Sequence, residues 1–204
     1  GITWIGLLYF FNFIQGAAFG EMSDGARGEV LRKITWRTLW WFRWAAALTW
    51  VSGMWILAHQ KAFGSGFADY FSTSGGVGIA FGALLGTTMA ANVWMVIWPA
   101  QKIAIGSSVT VSEGGEADPA APAAAKRAGR ASRVNTLFSL PLVFFMMWPS
   151  HFAPYKAFGD EVMGGLGFGP SAGGRWTLWI VFLVIWIVFE ASALGKLGGY
   201  DNAI

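Results

Sequence analysis

Cysteine is absent from the chain. That excludes disulfides, thiolate metal sites, a cysteine nucleophile and covalent c-type haem within it. Charge is scarce as well. Only 12% of the residues are Asp, Glu, Lys or Arg, about half of the roughly 25% usual in a soluble domain. So little charge cannot cover a water-soluble globule. Histidine occurs twice, as His59 and His151. The acids Asp69, Asp160 and Glu161 fall in the same connections, but no metal-ligand spacing and no acid–base–nucleophile set is recognisable. No catalytic residue and no metal site is therefore assigned. The Gly-rich pieces at 74–78 and 164–169 lack the Gly-Lys-Ser/Thr ending and the strand context of a phosphate loop, and read as turns. The net charge of +3 comes from basic residues beside apolar runs rather than on one clustered face, which gives no nucleic-acid surface.

What fills the chain instead is apolar. Hydrophobic residues make up 55% of the 204, the mean hydropathy is +0.50, and the apolar residues lie in long runs. Crossing a bilayer takes about 20 helical residues. The runs predict an all-α polytopic membrane protein, a bundle of about five transmembrane helices forming a single membrane domain over 1–204. The spans fall at about 1–19, 36–58, 77–99, 134–149 and 176–194. The first run starts at Gly1 with no charged segment before it, unlike a signal peptide, so the reading is that the start of the first helix is missing.

Charge alternates between the connections. The first, about 21–33, contains Arg27, Arg32 and Lys33, with Arg37 just beyond; Lys102, Lys126, Arg127, Arg130 and Arg133 fill the third; the second and fourth have only Lys61 and Lys156. The positive-inside rule then puts the first and third connections in the cytoplasm, with the N-terminus outside and the C-terminus cytoplasmic. The third connection, about 106–129, is rich in Gly, Ala and Pro and reads as a flexible or loosely helical cytoplasmic loop. A short echo, Lys-Ala-Phe-Gly after both His59 and His151, is consistent with two similar helix pairs.

Several side chains invite a role. Asn12 and Gln15 share a face of the first span, and Asn92 and Asn135 lie in the third and fourth. Polar groups at this depth serve as interhelical hydrogen-bond partners or as contacts to a ligand or quinone. Gly78, Gly82 and Gly86, four residues apart, form a helix-packing seam. Trp40 with Trp44, and Trp94 with Trp98, lie on shared faces. Interfacial anchoring explains these tryptophans, and Trp94 and Trp98 are also candidates to line a cofactor. Arg43, one turn inside, needs snorkelling or an acidic partner. His59 and His151, from different helices, either cap helix ends or ligate a b-type haem or other pigment.

Four segments carry a family resemblance: Gly1-Ile2-Thr3-Trp4-Ile5-Gly6 with Tyr9-Phe10; Ala91-Asn92-Val93-Trp94-Met95-Val96-Ile97-Trp98-Pro99-Ala100-Gln101-Lys102; Ser132-Arg133-Val134-Asn135-Thr136-Leu137-Phe138-Ser139-Leu140-Pro141; and Ser150-His151-Phe152. Together they resemble the membrane domain of the PuuD-like urate oxidase family, multi-span proteins some of which are fused to cytochrome c. The resemblance covers spans one, three and four. It implies a bacterial inner-membrane protein linked to a respiratory or c-type cytochrome partner.

Three functions follow as expectations. The first is an accessory subunit of a respiratory or photosynthetic energy-conversion complex, stabilising helices and cofactors of larger partners in the lipid bilayer. The second is a urate-oxidase-like membrane redox protein passing electrons to a c-type cytochrome and holding a b-type haem. The third is a small transporter, for which Asn12, Gln15 and Asn92 offer a partial polar path.

Overall fold

The computed structural model describes residues 1–62, 74–151 and 172–197. Among them the chain is all-α, in five continuous helical stretches. We label these α1 (Ile2–Glu21), α2 (24–62), α3 (74–112), α4 (Ala121–His151) and α5 (Ala172–Ala193). Each is longer than the apolar run it contains, for local reasons that can be named.

Between α1 and α2 only Met22 and Ser23 leave the helix. The first connection, expected over about 21–33, is therefore mostly helical. Ser23 in extended conformation caps α2, its Oγ accepting from the Ala26 N–H at 3.4 Å, and Asp24 follows in the first turn. Side-chain oxygens accept the orphan amides of a helix start, and an acid there complements the dipole. Glu29 then pairs with Arg32 and Lys33 one turn on.

The third connection also differs from expectation. Helix continues to Ser112 and resumes at Ala121. Gly114, at φ +85°, ends α3: its N–H donates to Val111 and that of Gly115 to Thr110 at 2.9 Å. This pair of bonds satisfies the last carbonyls, and glycine takes the left-handed position without strain. Asp118 organises the restart. Its N–H donates to Ser107 Oγ at 2.9 Å and its Oδ1 accepts from the Ala120 N–H at 2.8 Å. The alanines are packed rather than loose: Ala124, Ala128 and Ala131 are 5%, 1% and 0% exposed, and the first two pack with Ala100 and Ile103. Methyl groups at four-residue spacing let two helix backbones approach closely. Composition alone reads such a stretch as a linker. Likewise Ser74 to Gly78 forms the first turns of α3, not a turn preceding it.

Within α1, α2 and α3 the helix widens at Phe10–Gln15, Leu31–Thr35, Leu57–Ala62 and Asn92–Ile97. Three of these wide turns close on amides five residues on: Gly16 to Phe11, Trp36 to Leu31 and Trp98 to Val93. The last lies just before Pro99. A proline has no N–H to donate to the preceding turn, and the wide turn accommodates that gap without ending α3.

The chain gathers into two compact units, one from Gly1–Trp50, Thr88–Leu137 and the chain after Ala191, the other from Val51–Thr87 and Phe138–Glu190. The first has a core that includes Trp4, Leu8, Leu39, Phe42, Val93, Ile97 and the alanine stripe. The second centres on Phe81, stacked on Phe182 at 4.1 Å and edge-on to Phe145 and Trp179. In it Gly82 and Gly86 face α4. A Cβ on Gly82 would lie 2.9 Å from Met146 Cε and 3.3 Å from Phe145 Cβ; one on Gly86 would lie 3.5 Å from Leu142. Gly78 is buried in the same helix.

Ile2–Glu21 and Gly75–Ser112 are long and apolar enough to cross a membrane, and Trp179–Ala193 is a shorter apolar helix. α2 does not meet that test. It carries six tryptophans between Trp36 and Trp55, whose indole N–H lowers their hydropathy although the ring favours the membrane interface. Large apolar side chains stay exposed along the described helices. On α5 Ile180, Val184 and Ile187 are 60%, 55% and 55% exposed, at the i, i+4, i+7 positions of one face.

Candidate functional site

In the first unit, four helices bring polar side chains into an apolar interior. Asn92 of α3 donates through Nδ2 to Asn135 Oδ1 of α4 at 3.1 Å, and Asn135 Nδ2 donates to the Met89 carbonyl at 3.0 Å. Asn135 is fully buried and Asn92 nearly so. The two amides engage each other, and Asn135 also engages the α3 backbone, which is how buried amides avoid the cost of desolvation. On α1, Asn12 Nδ2 donates to the Leu8 carbonyl and to Ser132 Oγ of α4, both at 2.8 Å.

Gln15 is different. It is 8% exposed, yet its Oε1 has no hydrogen-bond partner; Thr35 of α2, 3% exposed, has an Oγ1 in the same condition. Both line a cavity of about 310 Å³ enclosed by α1, α2, α3 and α4. Phe11, Phe19 and Phe42 supply aromatic wall, while Gln101, Ser108 and Ser132 add polar positions. Among the described residues lining it none carries a charge. Gly16 and Ala125, at its margin, are exposed, so the cavity reaches the surface there. The wide turns of α1, α2 and α3 all contribute to the wall, through Asn12 and Gln15, through Leu31 and Thr35, and through Ile97. A wide turn shifts the side chains that follow it around the helix axis, and such turns recur where a helix must present a side chain off its regular face.

The residues of this cavity were only partly predicted. Asn12 and Gln15 stand out as amides within an apolar run. Thr35 does not, because it lies among basic residues; its signal is the stripe Leu31, Thr35, Leu39, Phe42, which places it on the inward face of α2.

The tryptophans form a separate cluster in the same unit. The Arg43 guanidinium lies 3.9, 5.0 and 5.8 Å from the ring centres of Trp98, Trp94 and Trp44. Trp36 packs on Trp98 and Trp40 on Trp44. Lys102 approaches Trp98 from a further side at 5.7 Å. Arg43 is half-buried, and indole faces surround its guanidinium, whose charge their negative quadrupole attracts. Arg43 Nε is buried with no hydrogen-bond partner, consistent with a charge held by rings rather than by acceptors.

Both histidines belong to the second unit. His59 is exposed and stacks on Trp55, the rings 13° from parallel. His151, also exposed, has Nδ1 3.3 Å from the Met147 carbonyl. A carbonyl can only accept, so Nδ1 is the donor in this contact. Among the described residues no group of three or more His, Asp or Glu is placed to hold a metal ion. Asp69, Asp160, Glu161, the Gly-rich piece at 164–169 and most of the Lys-Ala-Phe-Gly echo lie outside the described residues.

Residues 61–161 match the family model for the urate oxidase N-terminal domain. This span contains the Asn92–Lys102 and Ser132–Pro141 segments and His151, and leaves out α1 and α5. No curated protein and no solved structure matches the chain.

Proposed function

We propose that the chain is a five-helix inner-membrane protein of the urate-oxidase N-terminal type that works in membrane electron transfer, passing electrons to a c-type cytochrome. The observation that carries this reading is the family match over 61–161. It runs through α3 and α4, the helices that hold the buried asparagine pair and the proline-spanning wide turn. The exposed apolar faces support the membrane setting, because lipid solvates them and water does not.

A b-type haem fits the histidines in one respect. Both rings are exposed, His151 with Nδ1 directed at the Met147 carbonyl and His59 held by stacking on Trp55. Those two residues would hold it, and its iron would supply one-electron chemistry that no side chain here provides. The accessory-subunit reading shares the membrane placement but needs no cofactor on this chain.

The test is a pair of visible spectra, oxidised and dithionite-reduced, of the mildly solubilised purified protein and its His59→Ala and His151→Ala variants. A haem signal intrinsic to the chain and lost in either variant is expected. A colourless protein, or a chromophore that stays with a larger partner and ignores both substitutions, refutes the redox reading in favour of the accessory subunit.

A further inference from the structure

We infer that the cavity of the first unit is a binding site for a neutral hydroquinone head group entering from the lipid. The inference stands on that cavity alone and does not depend on the histidines or on the redox reading.

Three observations define the ligand. First, Gln15 Oε1 and Thr35 Oγ1 are more than nine-tenths buried, lack partners and line the same space. Buried oxygens without donors are rare, because each forfeits its hydration. Gln15 Oε1 can only accept, so it calls for an occupant that carries a hydrogen-bond donor, and the Thr35 hydroxyl can accept from such a group or donate to it. Second, no lining residue is charged among those described. An anion such as urate at neutral pH, or a phosphate, would have no countercharge, so the occupant is neutral. Third, Phe11, Phe19 and Phe42 wall the cavity, and about 310 Å³ accommodates one substituted ring. The cavity reaches the surface beside Gly16, on the apolar helix α1. A lipid-soluble ring with an apolar tail suits that margin. A hydroquinone combines all these properties: a flat neutral ring, hydroxyl donors at its edge and a lipophilic substituent.

Water is the competing occupant, since it too can donate to both oxygens. The two make opposite demands on substitution. The experiment uses the full chain in lipid nanodiscs under anaerobic conditions, titrated calorimetrically with reduced decylubiquinone and, separately, with urate. Variants are Gln15→Leu and Thr35→Val, which remove the oxygens at similar volume, and Thr35→Ser, which keeps the hydroxyl.

Saturable hydroquinone binding is expected, weakened about tenfold by each of the first two variants and retained within about threefold by Thr35→Ser. The ligand-free Gln15→Leu and Thr35→Val proteins should melt at the same temperature as the parent or above it. Groups kept for a ligand are dispensable to the fold, whereas groups that hold helices together are not. Failure of the parent to bind the hydroquinone saturably would leave water as the occupant and overturn the proposal. So would affinity unchanged in both apolar variants, or urate competing for the same residues.

Discussion

The Asn92–Asn135 pair offers the sharpest test of how the first unit is held together. Replacing Asn135 by Leu removes an acceptor from Asn92 Nδ2 and a donor from the Met89 carbonyl. The volume is nearly conserved, so the loss is polar rather than a cavity. Each bond contributes about 0.5–1.5 kcal/mol net, with about 0.6 typical between membrane helices, while an orphaned buried donor costs about 1–3 kcal/mol. Asn135 is 0% exposed and Asn92 2%, so water cannot replace the lost partner. Asn135→Leu should therefore destabilise by about 2–3 kcal/mol, and Asn92→Leu by somewhat less. In the double variant both amides are gone, and the hydrogen bond that each single variant leaves unmade on the other helix goes with them. The double should cost about 1–2 kcal/mol less than the two singles added together. Unfolding in mixed micelles of rising SDS content, followed by tryptophan emission, measures all three. Additive losses, within about 0.5 kcal/mol, would mean that the two side chains do not interact, and would refute the packing described for α3 and α4.

Other perturbations follow from the same geometry. Arg43→Gln removes a cation from three indole faces, and should cost about 1–2 kcal/mol and shift tryptophan emission; Arg43→Lys should keep part of both. Gly82→Ala displaces the flexible end of Met146 and presses on Phe145 Cβ, a loss of about 1 kcal/mol, whereas Gly82→Leu should cost about 3 kcal/mol or prevent folding, as a melting curve would show. The hydrogen bond from Lys33, aided by the nearby positive charges and the Arg32 bond and opposed by slight desolvation, lowers the Glu29 carboxyl below its ordinary 4.5. Its stabilising contribution is then complete above that ordinary value and lost as pH falls through the lowered one. The pair is exposed, so the effect on an acid titration of stability should be small, abolished by Glu29→Gln and reduced by salt.

How far the sequence alone reaches depends on which physical signal each element carries. The helices of this chain announce themselves by apolar runs, so the all-α character is legible from composition. Their ends are not. Ser23, Gly114 and Asp118 stop and start helices through single hydrogen bonds that hydropathy does not register, and the expected connections shrink to a few residues as a result. The alanines from Ala121 onward mislead for a related reason. A run of small residues has little surface to bury per side chain, yet at four-residue spacing it lets helix backbones meet, and only the partner stripe at Ala100 and Ile103 distinguishes packing from slack.

The same contrast explains the cavity. An amide in an apolar run is conspicuous because its desolvation must be compensated, so Asn12, Gln15, Asn92 and Asn135 attract notice together. Sequence cannot separate those that find a partner from those that do not, since that depends on what the facing helix presents. Three do find one: Asn12 meets Ser132, and Asn92 meets Asn135. Gln15 Oε1 does not, and neither does Thr35 Oγ1. The wide turns at Phe10–Gln15 and Leu31–Thr35 set the positions of both residues. Regular helical spacing places Gln15 three residues from Asn12 on one shared face and therefore expects the two amides to act alike. They do not act alike: one is spent on a neighbouring helix, while the other keeps an unspent acceptor. That divergence separates a fastening from a binding site, and it becomes visible only when the facing helices are in place.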